Sequence, residues 1–132
     1  MTDKKPEIGA IEWRDLTVDD ATSVKDFYKQ VVGWESSDVS MGDDENGKYE
    51  DYCMNLPGSG ETVAGVCHAK GCNAGIPPQW LMYVRVANVA ESIAHCQTLG
   101  GKVMYGPKEM GKDEFCVIED PAGAVLGLMS EK

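Results

Sequence analysis

"DPAGAVLGLM", residues 120–129, turns sharply at Asp120-Pro121-Ala122-Gly123 and then runs apolar, with Gly127 in the middle of the run. Glycine weakens a strand interior and gives packing nothing to hold, so its presence there asks for a reason. Earlier in the chain, "VAGVCHAK" (63–70) has the same shape, with Gly65 in the matching place. Two strands with the same weak point suggest a repeated unit.

Outward from Gly65, "IGAIEWRDLTV" (8–18) reads as a strand, and "DDATSVKDFYKQVVGW" (19–34) switches to a helical period. Val24, Phe27, Tyr28, Val31 and Val32 fall at i, i+3, i+4, i+7 and i+8, the stripe of an amphipathic helix. Asp19 or Asp20 caps its start and Gly33 closes it. Three strands follow, "WESSDVSM" (34–41), "YEDYCMNL" (49–56) and "TVAGVCHAK" (62–70), broken by "GDDENG" and "PGSG".

Outward from Gly127 the pattern recurs. A connector, "GCNAGIPPQ" (71–79), leads into the strand "WLMYVRV" (80–86) and the helix "NVAESIAHCQTLGG" (88–101). Asn88 and Glu91 have the spacing of a capping box, Val89, Ile93, Cys96 and Leu99 form the stripe to be buried, and Gly100 ends the helix. "KVMYGP" (102–107), "EFCVIED" (114–120) and "AVLGLMS" (124–130) are three more strands. The order βαβββ therefore occurs twice, an internal repeat of pattern more than of identity.

That duplicated unit, with "DFYKQVVGW" (26–34) after its first strand and "DPAGAVLGL" (120–128) near its end, resembles the vicinal oxygen chelate superfamily. Glyoxalase I, bleomycin-resistance proteins and extradiol dioxygenases belong to it. The resemblance implies a single α+β domain over 8–130, built of βαβββ units 8–70 and 79–130. Their strands would form a curled mixed sheet, an open barrel around a cavity, with the helices on the outer face. Metal-dependent members take one ligand from the first strand and one from the last strand of each unit. In register, those positions are Trp13, Gly65, Leu81 and Gly127. The two glycines thus stand where the metal-binding members carry glutamates. None of the four side chains offers the imidazole, carboxylate or thiolate that a divalent metal needs, so neither metal nor other cofactor is expected.

Strand alternation sorts the remaining candidates. If the ligand positions face inward, so do Ile11 and Asp15, Val63 and Cys67, Tyr83 and Arg85, and Val125 and Met129. Ala64, Val66, Met82, Val84, Val86, Leu126 and Leu128 take the other face, beneath the helices. Arg14 breaks that apolar set, and its head is expected to reach solvent past the helix edge. His68 points away from the cavity, and His95 lies on an exposed helix face. Cys67 reads as a small apolar filler, or as a nucleophile if a cation such as Arg85 stabilises its thiolate. Cys53, Cys96 and Cys116 read as core. Trp13, Asp15, Gly65, Cys67, Leu81, Tyr83, Gly127 and Met129 together compose a plausible site for a small, partly apolar or aromatic molecule. The alternative is that Trp13 fills the vacated metal space.

Twelve basic against 22 acidic residues give a formal net charge of -10, which argues against nucleic acid and anionic membranes. "MTDKKPEIGA" (1–10) has no signal-peptide core, and no window reaches the length of a membrane span. Five cysteines without C-x-x-C spacing fit reduced thiols in the cytoplasm. "GDDENGKYED" (42–51) lacks the spacing of a calcium loop and reads as an exposed acidic hairpin tip. The expected function is metal-independent binding of a small molecule, as in bleomycin-resistance-type members, by a homodimer that hides its sheet edges and uses the "IPPQW" loop (76–80) as a contact. No catalytic residue is assigned. The alternatives are a glyoxalase- or dioxygenase-like enzyme (lyase, isomerase or oxidoreductase) working through non-standard residues such as Asp15 or Cys67, and an interaction domain whose cavity is filled.

Overall fold

The computed structural model describes residues 7–43 and 47–132; of Asp43 and Cys72 only the backbone is described. The first six residues, the acidic tip at 44–46 and the Cys72 side chain lie outside the described residues. The elements are β1 (Ile11–Val18), α1 (Ala21–Val32), β2 (Glu35–Asp43), β3 (Gly47–Asn55), β4 (Thr62–His68), β5 (Trp80–Arg85), α2 (Val89–Thr98), β6 (Lys102–Met110), β7 (Asp113–Glu119) and β8 (Val125–Glu131). A short 3-10 turn, Gly71–Asn73, sits in the connector. The α+β class and the doubled βαβββ order are those expected from the sequence. No helix among the described residues is long and apolar enough to cross a membrane.

The chain resolves into two compact units, one of Arg14–Trp80 and one of Leu81–Lys132 together with the residues up to Trp13. In the first, the strands run in the order β2-β3-β4-β1, with β1 parallel to β4 and the other pairs antiparallel. In the second, the order is β5-β8-β7-β6, with β5 parallel to β8. A parallel pair joined through a helix and two hairpin-linked strands is what a βαβββ unit produces.

Local chemistry fixes the element ends. Asp20 caps α1, its carboxylate accepting the Ser23 N–H at 3.1 Å, and Gly33 closes the helix at φ +92°. Asn88 accepts the Glu91 N–H at 2.9 Å, and the buried Ser130 hydroxyl accepts the Val89 N–H at 3.0 Å, so two first-turn donors of α2 are satisfied. Asp120 Oδ1 accepts the N–H groups of both Ala122 and Ala124, and Gly123 takes φ +94°, which turns β7 into β8.

Both helices pack on the apolar sets assigned to them, with corrections. Beneath α1 lie Ala64, Val66, Tyr52 and Met54, met by Ala21, Val24 and Tyr28. Phe27, Val31 and Val32 are instead 57%, 63% and 51% exposed, so burial on α1 is confined to its earlier turns, through Ala21, Val24 and Tyr28. Beneath α2, Val84, Val86, Leu126 and Leu128 pack with Cys116, Val89 and Ile93. Leu99 falls at the helix C-cap and is exposed, and Met82 is exposed on β5 rather than covered. Arg14 is exposed as expected and donates to the Val63 carbonyl at 3.0 Å.

Candidate functional site

In the unit of Leu81–Lys132, register builds two side-chain rows on the face away from α2. Tyr83 stands beside Gly127, Gly127 opposite Val117, and Val117 opposite Tyr105. Next to this row, Arg85 stands beside Met129, Met129 opposite Phe115, and Phe115 opposite Lys108. Leu81, two residues before Tyr83, is fully buried.

Gly127 has its reason here. A Cβ at this position would fall onto Cδ1 of Tyr83 and come within 2.8 Å of its Cγ. The phenol ring of Tyr83 therefore occupies the space a side chain at 127 would need. Phe115 meets Tyr83 edge-on at 6.0 Å between centroids, and Tyr105 continues from Phe115 at 6.0 Å. Tyr83 and Phe115 are buried and Tyr105 is half-buried, so the aromatic wall emerges at Tyr105. Sequence reading found Tyr83, Gly127 and Met129 together and missed Phe115 and Tyr105. The signal for Phe115 was present, since it alternates with the core residue Cys116.

Arg85, expected inward, is nine-tenths buried and committed. Its guanidinium donates to Glu12 Oε1 through Nε at 2.9 Å and Nη2 at 2.6 Å, and reaches Asp113 at 3.4 and 3.5 Å. Glu12 and Asp113 raise its pKa further, so it stays charged. Backbone bonds from Gly9 N–H to Arg85 O and from Arg85 N–H to Ala10 O fasten the same segment. Trp13, next along β1, is half-buried.

In the unit of Arg14–Trp80, Asp15 stands beside Gly65 and Cys53 opposite it. Cys67, two residues on, is half-buried, and burial followed by the Asp15 and Asp51 carboxylates pushes its thiol well above the usual range. An uncharged thiol among carboxylates is a poor nucleophile, so the filler reading stands. His68 does point to the opposite face, but it is firmly held. Its ring Nδ1 donates to the Glu50 carbonyl at 2.8 Å, its backbone N–H donates to Asp51 at 2.8 Å, and Tyr49 and Tyr52 flank it. Sequence reading missed this buried Asp51–His68 clasp between β3 and β4, which holds the strand ends together. His95 is exposed.

The residues do not fit a divalent metal. No group of three or more His, Cys, Asp or Glu among the described residues could hold one, and the Tyr83 ring occupies the space a side chain at 127 would need.

The family model of the Glyoxalase/Bleomycin resistance protein/Dioxygenase superfamily matches residues 8–128. The chain belongs to this superfamily. Within the superfamily it is 31% identical over 122 residues to CFP32 of Mycobacterium tuberculosis and of Mycobacterium bovis, whose name assigns it provisionally to the glyoxylases. That match covers 91% of this chain and 45% of CFP32, so the chain spans about half the length of these curated relatives. Its fold is similar to methylmalonyl-CoA epimerase of Mycobacterium tuberculosis, with a TM-score of 0.54 and 13% identity over 99% of this chain and 93% of the epimerase. It is also similar to the Streptomyces coelicolor epimerase in complex with 2-nitronate-propionyl-CoA, with a TM-score of 0.53 and 15% identity over 95% and 99% of the two chains. At these identities the likeness is one of fold, and a fold hosts many chemistries.

Proposed function

We propose that the chain is a metal-independent, cytoplasmic binding member of its superfamily that takes a small, partly apolar or aromatic molecule. The observation that carries this reading is the Tyr83 ring lying over Gly127. Carbon surface, continued by Phe115 and Tyr105, stands where the metal-binding members carry a carboxylate, and such a wall recognises flat apolar groups. The high thiol pKa of Cys67 favours a binder over an enzyme that attacks through sulfur.

A fluorescence screen of planar aromatics, run with a strong chelator throughout, tests it. At least one compound should bind, and Tyr105→Ala should weaken it by about two- to ten-fold, the worth of an aromatic contact. Because Tyr105 is half-buried, the variant should keep most of its stability. A screen without binders, or binding that appears only when metal is restored, would overturn the reading.

The same proposal includes a homodimer. The exposed Phe27, Val31 and Val32 of α1 support it, as does Trp80, 36% exposed at the end of the "IPPQW" loop. Light scattering should report twice the chain mass at micromolar concentration, and a monomer there would remove this part.

A further inference from the structure

We infer that Lys108 is a specificity residue that selects planar aromatic acids for the Tyr105–Phe115 wall; this rests on the binding reading above. Strand β6 carries a bulge. Between the pairs Tyr105↔Val117 and Lys108↔Phe115, β6 advances by one residue more than β7. Gly106 makes this possible: its φ is +87°, and a Cβ there would come within 2.9 Å of the Phe115 carbonyl oxygen. Without the extra residue, Pro107 would stand opposite Phe115. With it, Lys108 does, on the same face as the rings. Bulges commonly re-aim a side chain in this way beside binding sites. The Lys108 ammonium lies 5.9 Å from the centroid of Tyr105, at the emergent end of the wall.

The neighbouring cations are committed to carboxylates. Lys102 on the same strand pairs with Glu119 at 3.6 Å, Lys132 pairs with Glu109 at 3.6 Å, and Arg85 at the far end of the row is held by Glu12 and Asp113. Lys108 has no carboxylate partner among the described residues. The chain carries a net charge of -10, so an acid approaching it meets general repulsion, and a local cation at the wall decides whether an acid can stay. A flat ring on the emergent Tyr105 with a carboxylate towards Lys108 satisfies both surfaces.

The test compares two probes of the same shape, 2-naphthoate and its neutral analogue 2-naphthamide, in low salt. The acid should bind about three- to five-fold more tightly, the range of a partly exposed ion pair. Lys108→Gln should abolish that preference, so that the two probes bind alike, and Lys108→Arg should retain it. Lys102→Gln removes the same charge from the same strand and should leave the preference intact. Added salt should erode the preference in the wild type. If both probes bind equally, or if Lys102→Gln and Lys108→Gln act alike, the specificity role falls and the binding reading survives. If neither probe binds, the binding reading falls and takes this inference with it.

Discussion

A methyl group at position 127 should destabilise the protein by about 2–3 kcal/mol, more than a glycine-to-alanine change in a strand ordinarily does, because it overpacks a filled site. Rotating the Tyr83 ring about its own axis moves Cδ1 away but leaves Cγ, 2.8 Å from the new Cβ, where it was. The side chain must therefore swing at χ1 and disturb Phe115. Tyr83→Ala alone should lose about 3–5 kcal/mol, as for a large aromatic removed from a core. The double variant Tyr83→Ala/Gly127→Ala should lose less than the two singles added together, since the new methyl group then falls into the space the ring vacates. Urea denaturation of the four proteins measures this coupling. Strict additivity would mean that the ring does not depend on the glycine, and the steric reason given for Gly127 would fail.

The second large effect belongs to Arg85. Arg85→Gln leaves Glu12 and Asp113, with side chains 22% and 16% exposed, facing each other without a cation. The loss should be about 3 kcal/mol at neutral pH, the low end for breaking a buried ion pair because solvent reaches all three groups. In the wild type, pairing with Glu12 and Asp113 holds the arginine's pKa above its ordinary value, so it stays charged throughout the neutral range. Urea denaturation of both proteins at pH 7 checks the loss, and a variant as stable as the wild type would contradict it.

The sequence made the short-range features legible. Asp20, Gly33, Asn88, Asp120 and Gly123 act on groups within a few residues of themselves, so their residue types were enough. The repeat of βαβββ could be read for the same reason, from period and punctuation. What alternation could not see was parity lost at a bulge. A strict period of two cannot place Lys108 on the face of Tyr105, and only the Gly106-Pro107 pair hinted that β6 breaks step. Which turns of α1 are buried was also hidden, because Val31 and Val32 continue the stripe of Ala21, Val24 and Tyr28, and how far the strands cover that stripe is set by packing rather than by period. The candidate site divides the same way. Tyr83, Gly127 and Met129 followed from one strand's phase, whereas Phe115, Tyr105 and the partners of Arg85 depend on which strands lie side by side.

The clasp of Arg85 by residues 9, 10 and 12 means that this half of the molecule is discontinuous along the chain. Removing the chain up to Trp13 would damage the piece that begins at Leu81, and not the piece to which the cut end is still joined. During synthesis the order is reversed in time: residues 14–80 can gather their own partners while the earliest residues still wait for the arginine that will hold them. Closing that contact spans 73 positions, and contacts so far apart in sequence form late.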